Sequence, residues 1–296
     1  MERIISNTFD NELSAGKMCA NIWTQLRSFT VAKKVTVAAN SLIFFGEELS
    51  NNSEFLSAVL DYPEDLMITA EVLRFMPDSL APLVAPVLMR NDKASKTLVD
   101  HLMLVVEDRL RQARSNEKNL GPKPVDCIEF FIDANSLKNE WSAQKIVQVI
   151  MGIWFAVVHQ PALSIVYALE DLCEHPEYVG LFRAELAEML SANEENLDSL
   201  PLLDSFLKES SRLHPSDSIS VRRKVLQPFT FSDGTCLLPR DVACIPLQAI
   251  MRDSTYYSDS LTFNAFRFID ENRTKNLSKF VDTSSTYPLW GLGKHA

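Results

Sequence analysis

The chain has 296 residues, of which 46% are hydrophobic and 23% charged, a composition that excludes collagen-like and intrinsically disordered classes. It contains 8 glycines, where an average chain of this length has about 20, which disfavours β-sandwiches and glycine-looped nucleotide folds. The 29 Lys and Arg against 39 Asp and Glu give a net charge of -10, and without a basic stripe this pattern indicates no nucleic-acid partner. Helix should dominate the fold.

The first 115 residues predict successive helices, with apolar spacing in the ranges 22–26, 35–45 and 55–60 and an amphipathic stretch over 101–114. A longer helical pattern covers 141–174 and is apolar on nearly every face at its centre, which predicts a helix buried on all sides. Pro161 lies inside it. Because its missing N–H cannot reach the Val157 carbonyl, we expect a kink around residues 157–161.

After residue 200 the pattern changes. A helix over Leu202–His214 ends before Pro215, and it carries Glu209 and Arg212 on one face at i, i+3 spacing. The ranges 220–225, 229–231 and 242–245 are rich in β-forming residues, and Asp233-Gly234 is a hairpin signal. These segments predict a small antiparallel sheet, followed by a packed irregular segment over 251–289.

Neither the cysteines nor the N-terminus indicates secretion. The five cysteines are widely spaced and form no C-x-x-C pair, which fits a reducing compartment and predicts no disulfide framework or zinc cluster. The opening MERIISNTFDNELS lacks the apolar stretch of a signal peptide. The longest apolar run, 149–158, falls short of the ~20 residues that span a bilayer. We therefore predict a cytoplasmic chain without a membrane anchor.

Each short motif is weak when taken singly. An exposed E-x-x-R pair is common and contributes only ~0.2–0.5 kcal/mol to a helix. GLGKHA at 291–296 fits G-x-G-x-x-A, but it follows no strand and opens no helix, so it does not predict dinucleotide binding. No P-loop, nucleophile elbow or zinc-protease motif occurs. His159, in the predicted buried helix, is by default a hydrogen-bonded core histidine.

The order of these signals resembles that of cytochrome P450 monooxygenases, which are haem-thiolate enzymes. The resemblance runs through LPLLDSFLKESSRLHP at 200–215, then residues 222–257, FNAFRF at 263–268 and WGLGKHA at 290–296. It implies a mainly α (α+β) class, as a partial P450 fold with a small antiparallel sheet after residue 215. The implied organisation is one incomplete domain over 1–296, with a helical part over 1–200 and the sheet and start of the haem loop in 201–296.

The resemblance also implies roles for individual residues. Glu209 and Arg212 match the family's E-x-x-R, and Arg267 matches the arginine of its P-x-R-F, with Ala265 in place of the proline. In the family these three side chains form a buried ion-paired triad behind the haem, and their role is to hold the fold. A guanidinium on each side of a carboxylate suits charge-assisted hydrogen bonding.

Four further residues are implied to contact the haem. Arg223, with Arg222 as the alternative, falls where the family has an arginine that pairs with a haem propionate; an ordinary exposed strand residue is the other interpretation. His295 falls on a second propionate-binding position, and Trp290 and Gly293 match the ligand loop. The axial cysteine of that loop would follow Ala296, so no metal ligand is predicted within the chain.

The segment FAVVHQPALS at 155–164 resembles the oxygen-activating segment of the family, in the A-x-x-H-T-T form of filamentous-fungal members. His159 keeps the histidine, whereas Gln160 and Pro161 replace the hydroxyl residues. The resemblance therefore places His159 and Gln160 at the oxygen groove. Because Gln160 is a poor proton carrier, monooxygenation is expected to suffer.

Three hypotheses remain open at this point. The chain descends from a fungal secondary-metabolism monooxygenase that oxidises an apolar terpenoid or alkaloid with haem and NADPH-cytochrome reductase, at the endoplasmic reticulum surface for the full-length family, and is itself truncated and inactive. Alternatively, it is a non-catalytic remnant or a wrongly assembled gene fragment that binds no haem. The third is an unrelated helical binding protein with a coincidental E-x-x-R.

Overall fold

A computed structural model describes residues 1–18, 24–77, 79–90, 93–114, 123–136, 141–192, 200–272 and 275–293. The helices are α1 Glu2–Ala15, α2 Ser28–Ser50, α3 Ser53–Arg74, α4 Ala81–Arg90, α5 Lys93–Arg114, α6 Cys127–Ser136, α7 Ala143–Glu174, α8 Glu177–Ser191, α9 Pro201–Leu213 and α10 Leu247–Met251. The strands are β1 Lys17–Met18, β2 Thr24–Gln25, β3 Ser220–Lys224, β4 Phe229–Thr230, β5 Cys236–Leu237 and β6 Val242–Ile245. The predicted class, helix-rich with a small antiparallel sheet after residue 215, is confirmed.

The chain forms two compact units, residues 1–162 and 163–296, and the division falls inside α7. The first unit has one apolar core, to which α2, α3, α5, α6 and the first part of α7 contribute. Its centre is aromatic: the Phe45 ring lies 4.8 Å from Trp154 and 4.9 Å from Phe55, measured between ring centroids. These contacts are typical of tilted and edge-on aromatic packing.

One face of α7 is buried and another is exposed, so the prediction of a helix buried on all sides is wrong. Ile146, Ile150, Trp154 and Val158 pack in the core of the first unit. Exposed positions on the same helix are Gly152, Ile153, Ala156, Gln160, Ile165 and Leu169. The average apolar character of the sequence could not distinguish these faces, because aliphatic side chains occur on both of them.

By length and composition α7 is also the one helix among the described ranges that could cross a membrane. The apolar run 149–158 underestimates this length, because the helix continues through Pro161 to Glu174 and has 32 residues. Its core-packed face is equally typical of the central helix of a globular unit.

A proline in the middle of α3 leaves one carbonyl without its helical partner. In a regular helix the amide of residue 63 would donate to the Val59 carbonyl, but Pro63 has no N–H. The Trp154 indole Nε1 of α7 donates to that carbonyl instead, over 2.9 Å in the buried core. A neighbouring helix thus supplies the donor that proline removed, as a buried carbonyl requires.

The same arrangement occurs in α7 itself. Pro161 removes the bond to the Val157 carbonyl, as the sequence predicts, and the Asn40 Nδ2 of α2 donates to that oxygen over 3.2 Å. The helix continues without interruption from Ala143 to Glu174. Two prolines inside helices are therefore accommodated by side-chain donors from other helices of the first unit.

Replacing Trp154 with phenylalanine tests this arrangement. We expect a loss of about 1–3 kcal/mol in the free energy of unfolding from the unsatisfied Val59 carbonyl, in addition to the cost of the smaller ring. With Pro63→Ala as background, residue 63 gains an N–H and the loss should shrink by that amount. Urea unfolding of the two singles and the double variant gives the coupling. An equal loss in both backgrounds would contradict the proposed substitution of donors.

The second unit contains α8, α9, α10 and the strands β3 to β6. Both strand pairs, β3 with β6 and β4 with β5, are antiparallel. Gly234, in the turn between β4 and β5, has φ +87, a left-handed conformation that suits glycine and confirms the predicted hairpin. The apolar core of the second unit is built from Leu202 and Phe206 of α9 together with Ala168, Ala265 and Ile269.

Candidate functional site

Helix α9 carries two of the predicted site residues, Glu209 and Arg212, and its N-terminus is fixed by a carboxylate. Pro201 occupies the first turn, where a missing N–H costs no helical bond. Glu185 of α8 accepts from the amides of Leu202 and Leu203 through its two oxygens, at 2.7 and 3.1 Å. These are amides that a helix leaves unpaired, so Glu185 caps α9 and sets its position against α8.

Glu209 lies at the centre of an ion-paired cluster. Its side chain and that of Arg212 are completely buried. Arg212 donates from Nε and Nη2 to the two carboxylate oxygens over 2.7 and 2.8 Å. Arg267 Nε lies 3.0 Å from each of the same oxygens, and the Asn264 amide donates to one of them over 3.1 Å. The structure thus brings Glu209, Arg212 and Arg267 together.

The remaining guanidinium N–H groups bind backbone carbonyls of the irregular segment. Arg212 Nη1 donates to the carbonyls of Met251 and Ser260, both over 2.7 Å. Arg267 donates over 2.7 to 3.3 Å to the carbonyls of Ser258, Asp259 and Thr262. These side chains replace the backbone partners that a sheet or helix would supply, which is what holds residues 251–268 without regular structure.

Ser205, one turn before Glu209, fixes the turn that carries Arg267. Its hydroxyl donates to the Ala265 carbonyl over 2.6 Å and accepts from the Phe268 amide over 3.1 Å. Ala265, the small apolar residue at the position where the family pattern has proline, is completely buried. Nothing in the sequence pattern singled out Ser205, because its partners lie some 60 residues away.

Asp204, which is half-buried, and Lys208, which is buried, are two further polar residues of α9 that the sequence analysis missed. Asp204 accepts from the Asn276 side chain over 3.0 Å and from the Phe280 amide over 2.9 Å. Burial raises the pKa of the Asp204 carboxyl, and burial lowers the pKa of the Lys208 ammonium. At i, i+4 spacing the two resemble an exposed helix pair, so only their burial shows their importance.

The beginning of the implied haem loop lies beside this pair's partners. Trp290 Nε1 donates to the Phe280 carbonyl over 2.9 Å, and the indole remains 44% exposed. Gly291 and Gly293 have φ values of +91 and +100, a backbone conformation that glycine adopts readily. Trp290 lies in a turn closed by the Gly291 amide, which donates to the Pro288 carbonyl over 3.0 Å, and Gly293 follows two residues later, whereas His295 falls outside the described residues.

Arg223 lies on β3 with an exposed side chain. Its Nη1 donates to the neighbouring Arg222 carbonyl over 3.0 Å, and the described part of the chain offers its guanidinium no carboxylate. It takes no part in the hydrogen bonds of the triad. An exposed guanidinium without a fixed anion is able to receive a carboxylate of a ligand.

His159 and Gln160 lie in the first unit. His159 Nδ1 is buried and has no hydrogen-bond partner among the residues with described positions, and its ring centroid lies 6.2 Å from that of Phe29. The predicted hydrogen-bonded core histidine is therefore wrong for Nδ1. Burial, assisted by the Lys33 cation, lowers the pKa of His159 and favours the neutral imidazole. Gln160 is exposed, on the face that also carries Ala156 and Gly152.

The helix-rich fold and the buried glutamate with its two arginines define the class of protein. A family model described as Cytochrome P450 matches residues 18–288, so the chain belongs to the cytochrome P450 family. This confirms the resemblance drawn from the sequence and implies haem as the cofactor of the family.

Two similar curated proteins come from fungi. The chain is 31% identical over 281 residues to cytochrome P450 monooxygenase 151 of Postia placenta, and 32% identical over 287 residues to cytochrome P450 monooxygenase penP of Penicillium crustosum. The alignments cover 93% and 94% of this chain but 56% and 55% of the relatives. The chain thus spans about half the length of the curated relatives it matches.

Solved structures of the family share the fold. A retinoic acid bound cyanobacterial CYP120A1 matches with a TM-score of 0.71 at 18% identity, over 99% of this chain and 60% of the other. The heme domain of cytochrome P450DA matches with a TM-score of 0.69 at 14% identity, over 98% of this chain and 60% of the other.

The described residues suit the rim of a haem site. Arg223 offers an exposed cation for a propionate, and the turn at Trp290 and Gly291 offers backbone and ring surface.

Proposed function

We propose that the chain is the greater part of the catalytic domain of a haem-dependent monooxygenase of fungal secondary metabolism. The observation that carries this proposal is the buried Glu209–Arg212–Arg267 cluster, which fixes the irregular segment leading to the loop at Trp290. The relatives, which are named as P450 monooxygenases of Penicillium, Aspergillus and Postia species, support the same assignment. When bound, haem supplies the activation of dioxygen.

The substrate that we propose is an apolar small molecule such as a terpenoid or alkaloid. The exposed face of α7 supports this, because Ile153, Ala156 and Gly152 offer apolar and small surface without a charged group. Gln160, on the same face, can orient an oxygen ligand through its amide but does not transfer protons at neutral pH. The pKa of His159 is lowered, so its imidazole is uncharged at neutral pH. The expected inactivity of this chain stays a prediction.

The redox partner that we propose is NADPH-cytochrome reductase, and the location is the endoplasmic reticulum surface. Membership of the family supports both proposals. In the haem site, Arg223 would pair with a propionate, and Trp290, Gly293 and His295 would belong to the ligand loop. The triad would hold this loop without contacting the haem.

Haem binding is tested by titrating haemin into the chain and recording the carbon-monoxide difference spectrum of the reduced form. A version extended through the downstream reading frame is measured beside it. We expect both to bind haemin, and the extended version alone to show the band of thiolate ligation. If neither binds haemin, the proposed function is wrong and the non-catalytic remnant is favoured.

Arg223→Ala supplies a second prediction with a matched control. Losing one charge-assisted hydrogen bond of ~1.5 kcal/mol should weaken haemin affinity about tenfold. Arg222→Ala removes the same charge from the adjacent exposed position and should leave the affinity unchanged. Equal effects of the two variants would show a general charge effect, and a larger effect of Arg222→Ala would exchange the two assignments.

A further inference from the structure

Lys208 is buried, with only 1% of its surface accessible to solvent, yet it forms no ion pair with a carboxylate in the described part of the chain. Its Nζ donates to the Ser278 hydroxyl over 2.7 Å and to the carbonyls of Lys279 and Asp282 over 2.6 and 3.2 Å. An ammonium has three N–H groups, so these three acceptors saturate it.

Two aromatic rings complete the surroundings of the ammonium. Nζ lies 4.3 Å from the ring centroid of Tyr287 and 5.1 Å from that of Phe268. The Tyr287 hydroxyl donates to the Lys208 carbonyl over 3.4 Å, so Tyr287 contacts both the side chain and the backbone of Lys208. Cation–π attraction is stronger at a desolvated site, and Lys208 is buried.

The turn that Lys208 binds is the turn that holds the start of the ligand loop. The Phe280 carbonyl accepts from Trp290 Nε1 over 2.9 Å, and the Thr283 hydroxyl donates to the Gly291 carbonyl over 2.5 Å. The loop therefore contacts residues 280–283, and residues 278–282 contact the Lys208 ammonium. This continuous set of bonds joins α9 to Gly291.

We infer that Lys208 is a positioning residue for the haem-binding loop: by fixing the turn 278–283 it fixes Trp290 and Gly291. The inference rests on the proposed function, because only the family resemblance assigns that loop to haem. A lysine suits the position since its compact ammonium reaches three oxygens in different directions, whereas a planar guanidinium would not.

The test compares Lys208→Met with Lys275→Met in the full chain by amide hydrogen exchange. Methionine preserves the length of the side chain and removes the donors, and exposed Lys275 is a lysine of the same irregular segment. We expect Lys208→Met to accelerate exchange of the Gly291 amide, which donates to the Pro288 carbonyl, at least about tenfold. The Val225 amide, bonded to Asp241 in the strand region, should change much less.

Equal acceleration at Gly291 and Val225 would show a general loss of stability and overturn the inference, as would an unchanged Gly291. Ser278→Ala removes a single acceptor of the ammonium and keeps the test decisive if Lys208→Met does not fold. It should accelerate Gly291 exchange in the same direction by a smaller factor. Thr283→Val, combined with either variant, should give a less than additive effect, because both act on one path.

A haemin titration separates this inference from the proposed function. If wild type binds haemin, Lys208→Met should weaken the affinity about tenfold and Lys275→Met should not. If wild type binds no haemin, the proposed function fails, while the exchange measurement still decides whether Lys208 orders the loop. Wild-type haemin affinity in Lys208→Met would overturn the role in haem binding, and wild-type Gly291 exchange would overturn the positioning role itself.

Discussion

Replacing Glu209 with alanine is expected to leave little soluble folded protein. The substitution removes the only carboxylate that Arg212 and Arg267 share in the described structure and leaves one completely buried guanidinium without a counter-charge. Breaking a buried ion pair in this way costs about 3–5 kcal/mol, a large share of the ~5–15 kcal/mol that keeps a domain folded. Soluble yield and urea unfolding measure the loss.

Glu271→Ala is the matched control, because Glu271 is an exposed carboxylate of the same irregular segment. Its effect should stay within about 0.5 kcal/mol. Glu209→Gln should resemble Glu209→Ala, since an amide nitrogen would face guanidinium donors. If Glu209→Ala unfolds at the urea concentration of wild type, the buried cluster contributes no stability and the structural role of the motif is refuted.

Gly46→Ala is expected to have the second large effect, in the first unit. Gly46 interrupts α2 with φ 76 and ψ 179, a conformation that is essentially restricted to glycine. A β-carbon there would lie 2.7 Å from Asp126 Oδ2, which Arg109 holds through two bonds of 2.7 and 2.8 Å. Backbone strain alone costs about 1–3 kcal/mol, and displacing Asp126 weakens a partly buried ion pair as well.

Gly152→Ala provides the comparison within the same unit. Gly152 lies in α7, and a β-carbon there would meet nothing within 4 Å. Alanine should therefore raise the free energy of unfolding by about 0.5–1 kcal/mol, as it does in helix interiors. Thermal unfolding of both variants would distinguish the two glycines. Opposite signs are expected, and a destabilised Gly152→Ala or a neutral Gly46→Ala would contradict the analysis.

Local sequence patterns predicted the elements of this fold well. The long apolar period placed α7 within two residues of its observed start at Ala143, and Pro215 marked the end of α9 after Leu213. The turn at Gly234 followed from Asp-Gly chemistry alone. In each case the signal and the structure that it predicts lie within a few residues of each other.

The long-range polar contacts of the fold could not be predicted from local sequence patterns. Asn40 binds a carbonyl 117 residues further along the chain, and Lys208 binds acceptors that lie 70 to 74 residues away. The i, i+4 spacing of Asp204 and Lys208 is that of an ordinary exposed helix pair, so it does not point to these distant acceptors. Local patterns also failed to predict the unsatisfied Nδ1 of His159, because burial of one ring atom depends on the packing of another helix.

The polar side chains of α9 also affect when the second unit folds during synthesis. A ribosome completes this helix before the partners of Arg212, Glu209 and Lys208, which lie 39 to 74 residues downstream, have been translated. During that interval Glu209 and Arg212 have only each other as partners and Lys208 lacks its three acceptors, so solvent must hydrate these groups. The second unit should therefore close late, in one cooperative event that dehydrates α9 when residues 251–287 arrive, and nascent chains arrested before that point should remain protease-sensitive.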